Sequence, residues 1–189
     1  MRQRGVRVSK LKHLSRGDTL IEVMIAMTLF SMVAIGAMIV MNRGLSLAQR
    51  SLEITLARQQ IDAQAEMLRY VHQKFKEDDG PYTVVWDSLD KITSPVQLVG
   101  VESCPTSLPS GGFSLASSAG GIDKVVNYSS NPATYARMVG TEAQGISTQL
   151  VRVQGGAAYD AYIQACWYSV GGDRPVTIGT IVRLYDSEA

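Results

Sequence analysis

The sequence predicts an α+β protein. A very long N-terminal helix, transmembrane in its first part and an amphipathic stalk in its second, packs on a C-terminal antiparallel β-sheet. Three observations carry this. Val23 to Met41 is a run of nineteen residues without a formal charge. No proline occurs before Pro81, so nothing in the chain forbids helix from Thr19 to about Asp78. The last forty residues hold three β-rich stretches separated by short glycine-containing turns, the pattern of an antiparallel meander.

The charge is divided unevenly. Arg2, Arg4, Arg7, Lys10, Lys12 and Arg16 fall in an acid-free head, and the remaining residues carry 12 basic against 17 acidic side chains. A mildly acidic body is not the surface of a nucleic-acid binder. The apolar run is long enough to cross a bilayer, and a cationic leader keeps its own side in the cytoplasm and sends the C-terminal part across. A secretory signal peptide with a small-residue region at Ala34-Ile35-Gly36-Ala37 and an uncleaved signal anchor both fit those facts. Neither accounts for Glu22 at the mouth of the run, where a carboxylate costs a few kcal/mol. A capping box, Thr19-Leu20-Ile21-Glu22, explains Thr19 and Glu22 locally. It does not explain the glycine that precedes Asp18 at the end of the basic leader.

Basic leader, Arg16-Gly17, Thr19-Leu20-Ile21-Glu22-Val23 and an apolar helix together resemble the N-terminus of type IV prepilins and pseudopilins. The resemblance implies a cut after Gly17 by prepilin peptidase on the cytoplasmic side and N-methylation of Asp18. It also implies pairing of Glu22, then the fifth residue, with the N-terminal amine of a neighbouring subunit during assembly. A partner charge that comes to meet Glu22 makes it tolerable in the membrane. Asp18 is acidic where the family often has Phe or another apolar residue, which points away from a bulk subunit. The family's frequent helix proline is missing, and Gly36 is the only soft point in the run.

The expected organisation is a leader over 1–17, a transmembrane half-helix over 18–41, an amphipathic half over 42–79 and a β-rich extracytoplasmic head over 80–189. A weak break is expected near Asn42-Arg43-Gly44. Sixty helical residues would span roughly 90 Å, far more than a bilayer. Leu45, Ala48, Leu52, Leu56, Ala63, Met67 and Tyr70 form one apolar stripe of the stalk, and Ile54, Ile61, Ala65, Leu68 and Phe75 a second. A helix with two stripes calls for two partners, its own head and a neighbouring subunit. The methionines read as packing residues, and His72 as a solvated helix residue.

Asp78-Asp79-Gly80-Pro81 ends the helix in this reading. Tyr82–Trp86 reads as a strand or the entry to a turn near Asp87-Ser88. Ser107–Gly112 and Ser114–Gly121 read as a long surface loop. Ser147–Gln154, Tyr159–Val170 and Val176–Tyr185 are the meander, turning at Gly155-Gly156 and at Gly171–Pro175. Ile178, Thr180, Val182 and Leu184 give the last strand an apolar face for the stalk. Cys104 and Cys166 are either a disulfide, worth roughly 4 kcal/mol by chain entropy, or two unrelated buried thiols.

No phosphate loop, CxxC, HExxH or GxSxG occurs, so no enzyme, cofactor or metal site is expected. Asp87, Asp90, Asp123, Asp160, Asp173 and Asp186 read as solvated turn or strand-end residues. The expected function is that of a structural subunit, a minor pilin. A pseudopilin of a type II secretion or DNA-uptake system, and a signal-anchored extracytoplasmic enzyme or binding domain, are the alternatives. The resemblance implies prepilin peptidase, other pilin subunits, an inner-membrane assembly platform and, before assembly, membrane lipid as partners. It implies a single-pass membrane protein with its N-terminus inside that later joins a surface or envelope filament.

Overall fold

The computed structural model describes residues 18–78, 80–93, 102–130, 132, 134–153 and 158–186. The leader 1–17, Asp79 and the turn at Gly155-Gly156 lie outside the described residues. Helix α1 runs from Asp18 to Lys76. It passes through Asn42-Arg43-Gly44 unbroken, a correction to the expected weak point: one glycine in open space costs about 1 kcal/mol and neighbouring turns carry it. The chain divides into two compact units, Met1–Leu47 and Ala48–Ala189. In the first, no described residue from 19 to 47 is buried.

The second unit is a helix layer on a sheet. Lys74 and Lys76 close α1 where cations suit the dipole, and the chain turns at Asp78 with φ 57°, its N–H donating to Phe75 O at 3.0 Å. Gly80-Pro81 then opens helix α2 (Gly80–Asp90). This corrects the expected strand at Tyr82–Trp86. Proline is at home in a helix's first turn, and Tyr82, Val85, Trp86 and Leu89 recur at helical spacing. Trp86 and Leu89 are buried, with Trp86 stacked on Phe75 at 5.7 Å, tilted against His72 at 4.6 Å and edge-on to Tyr159 at 5.3 Å.

The main sheet is antiparallel, in the order β2-β1-β6-β7-β8. Its strands are β1 (Gly112–Ser118), β2 (Gly121–Val125), β6 (Ile146–Arg152), β7 (Ala158–Tyr168) and β8 (Pro175–Tyr185). A small sheet, β3 (Tyr128–Ser129), β4 (Arg137–Val139) and β5 (Glu142–Gln144), lies between β2 and β6 in the chain. The meander β6–β7–β8 forms as the pattern predicts, in a register that aligns Thr148, Ile163 and Thr180. The expected loop over Ser114–Gly121 is instead β1 and its hairpin to β2, with Phe113 to Ala116 buried. Ser114 is tolerated in the interior because its hydroxyl donates to Ile146 O. Pairing of β1 with β6 stops after Phe113. Beyond it the buried Gln64 amide bonds both Leu115 N–H and Leu115 C=O at 2.7 Å, a side chain doing the work of a strand partner.

Of the two helix stripes, Ile61, Ala65 and Leu68 enter the core with Ala57 and Val71, and Ile54 and Phe75 pack at its rim. Even-numbered residues of β8 from Val176 to Leu184 face them. Leu45, Ala48, Leu52, Ala63 and Tyr70 of the other stripe are exposed. His72 corrects the sequence reading: it is buried, and its Nε2 lies 2.8 Å from Asp186 Oδ1 just past β8. Two aspartates also differ from solvated turn residues. Asp90 accepts from Arg152 and Tyr159 at 3.0 and 2.9 Å, and Asp160 is clamped by Arg183 through two hydrogen bonds at 2.7 and 2.8 Å. Cys104 and Cys166 form a disulfide that ties the segment before β1 to β7. Gly145 bonds Cys166 N–H at 2.7 Å. Its φ is 68°, and a Cβ there would lie 2.3 Å from Cys166 O, so only glycine fits.

Candidate processing and assembly site

The described part of helix α1 runs from Asp18, the residue after Gly17 in the sequence. Thr19 and Glu22 both lie in the first described turn of this helix. A helix start carries four N–H groups without intrahelical partners and a partial positive charge. A chain that begins at Asp18 would place its free amine at that same end. Glu22 stands one turn further on, exposed, with no partner among the described residues.

The rest of the apolar run leaves no comparable polar group. Thr28 Oγ1 donates to Ile25 O and Ser31 Oγ to Met27 O, both at 2.8 Å, so both hydroxyls are satisfied inside the helix, as an apolar medium requires. From Leu20 to Met41 the large side chains are exposed, Phe30 at 71% and Met32 at 75%. By length and composition the helix is long and apolar enough to cross a membrane. Glu22 is the single charge between Asp18 and Arg43.

Residues 13–38 match the prokaryotic N-terminal methylation motif. The chain carries a type IV prepilin-like N-terminus. That motif, with the apolar helix, marks a transmembrane substrate of prepilin peptidase of the pilin or pseudopilin type. The long helix followed by an antiparallel sheet is a pilin-like layout. No curated protein and no solved structure matches the chain.

In the second unit the buried polar groups hold the fold together. Glu53, 7% exposed, accepts from Trp167 Nε1 at 3.1 Å. Burial raises the Tyr159 pKa above its ordinary value, helped by its bond to Asp90, and burial alone raises that of Tyr128. Hydrogen bonds from Arg183 lower the Asp160 pKa. Among the described residues, no three His, Cys, Asp or Glu side chains gather as a metal site would need. The burial of Glu53, Gln64 and His72 is not legible in the sequence because each sits in a helix at a position where a solvated side chain reads equally well. Their only signal is the spacing that sets Glu53, Gln64 and His72 on the flank of the Ile61–Leu68 stripe.

Proposed function

We propose that the chain is a minor pilin, a structural subunit of a type IV pilus-like filament that works by regulated association and not by turnover. The observation that carries this reading is Glu22, the lone charge between Asp18 and Arg43, exposed on an apolar helix five residues past Gly17 in the sequence. Cleavage after Gly17 would leave the amine of Asp18 at the helix start. Glu22 of one subunit would select its register against the amine of another, and the apolar helices would leave the lipid as they bundle. The cationic leader favours an N-terminus on the cytoplasmic side before cleavage. The acidic first residue favours a minor subunit over a bulk one. His72, the one histidine of the described residues, is shut in between Trp86 and Asp186, which supports a structural role over catalysis.

The test is the intact mass and N-terminal sequence of the membrane-extracted protein. A start at Asp18, with or without one methyl, is expected; a start at Met1, or near Ala37, would sink the reading. Glu22→Gln is expected to leave insertion and cleavage intact while lowering recovery in sheared filaments. Recovery only in the envelope fraction would assign the chain to a pseudopilus instead.

A further inference from the structure

Among the described residues, the main sheet ends in two strands that pair on one side only, β2 and β8. An open edge offers a row of backbone donors and acceptors that another extended chain can satisfy, and proteins usually blunt such edges with lysine, proline or a bulge. Strand β8 is eleven residues long, with Pro175 only at its start and no lysine. Its one charge, Arg183, is already held by Asp160. Two grooves flank this edge at the same place, the middle of the strand. One, of about 540 Å³, opens on the outer face between Tyr162 and Ile181. The other, of about 400 Å³, lies on the helix side and is lined by Arg58 and Asp62 of α1 with Ile178 to Thr180. Gly179 sits between them without a side chain, and a Cβ there would come within 2.9 Å of Ile163 O.

We propose that two copies of this chain join edge to edge, the β2 edge of one adding in parallel to the β8 edge of the next. The proposal rests on the reading of the chain as an assembling subunit. The occupant is set by charge and by direction. Neither Arg58 nor Asp62 has an ion-pair partner among the described residues. On the matching face of β2 stands Lys124, bonded among the described residues to the Ser88 carbonyl of α2 at 3.2 Å with donors to spare, while Asp87 is exposed on α2. The β2 side thus offers a cation and an anion where the β8 side offers an anion and a cation. With Asp123 beside Gly179, Ile122 meets Ile178 on the helix face and Lys124 comes within reach of Asp62. Counting alternate antiparallel pairings across the sheet, β2 and β8 run the same way, so joining these unlike edges repeats head to tail. Joining β8 to β8 would close at two copies about a two-fold axis.

The test uses full chains in one bacterial membrane, two tagged forms co-expressed, one Ile122→Cys and the other Ile178→Cys, oxidised with copper phenanthroline. The native disulfide, checked by mass, shows that each variant is folded. A mixed product carrying both tags is expected, reduced at least fivefold by Asp62→Lys and restored when the Ile122→Cys form also carries Lys124→Glu. A product from Ile178→Cys alone without the mixed one, or no product from folded chains, overturns the proposal. So does a mixed product indifferent to both charge changes. The N-terminus read from the same membranes separates the two claims. A chain that starts at Asp18 but gives no mixed product refutes edge pairing only. A chain that starts at Met1 and gives the mixed product refutes the subunit reading only.

Discussion

Two of the three glutamates of helix α1, Glu22 and Glu53, live under opposite rules. Glu22 is exposed, unpartnered among the described residues, and surrounded along the helix by exposed Leu, Ile, Met and Phe. Glu53 is buried under the indole N–H of Trp167. The same secondary structure therefore serves two solvents. Residues 19–47 keep every large side chain outward and need an apolar surrounding, whereas residues 53–72 turn one stripe onto a sheet and leave the other to water. The chain is helical in both regions, while the surroundings of each carboxylate differ.

The sharpest way to separate the two regions is to loosen one and watch the other. Replacing Cys104 and Cys166 with serine opens a link across 62 residues, which by chain entropy should cost the second unit about 4 kcal/mol. Denaturant unfolding of the detergent-solubilised chain, followed by tryptophan fluorescence, reads this directly because Trp86 and Trp167 both lie in that unit. Extraction from the membrane should be unchanged; a loss of membrane association would break the comparison.

A matched pair of truncations comes next. Leu68 is fully buried and Leu29 is 58% exposed. Leu68→Ala should destabilise the second unit by about 3 kcal/mol through lost burial and a residual cavity, while Leu29→Ala should leave its unfolding midpoint in place. Equal effects would mean that the apolar half also packs on protein before assembly.

What the sequence makes legible follows the same division. The apolar run, Glu22 and the β6–β8 meander rest on single strong signals: uninterrupted hydropathy, one misplaced charge, and period-two alternation between glycines. The remainder is written in pairs of distant residues. Strand β1 looks like loop because its serine is satisfied by Ile146 O and its backbone by Gln64, 51 residues away. Helix α2 hides because Gly80-Pro81 is as good a beginning as an ending. His72 resembles a surface residue until Trp86 and Asp186 close over it.

The two glutamates themselves give a smaller effect. Glu53→Ala leaves the Trp167 N–H buried without an acceptor and should cost about 1–3 kcal/mol, whereas Glu53→Gln keeps an acceptor and should cost less. Glu22→Gln should not move the unfolding midpoint at all. A shift on Glu22→Gln would give that carboxylate a fold-stabilising partner and weaken its assignment to assembly.

The smallest effect is expected from pH, and its sign differs at the two limbs. Hydrogen bonds from Arg183 lower the Asp160 pKa below 3.8, and Lys74 and Gln73 lower that of Glu77 below 4.5. A lowered carboxyl contributes stability that is present above its unfolded pKa and lost as pH falls through the folded one. Acid should therefore weaken the second unit below about pH 4, and Asp160→Asn should flatten part of that limb. Tyr128 and Tyr159 have raised pKa values, so their contribution is present below pH 10.0 and drains away as alkali approaches their folded values. Both carboxylates are surface groups, and salt should shrink the acid limb. The run from Val23 to Met41 holds no titratable side chain, so its insertion should not follow either limb. Membrane extraction that tracks the acid limb would show that the two regions are coupled after all.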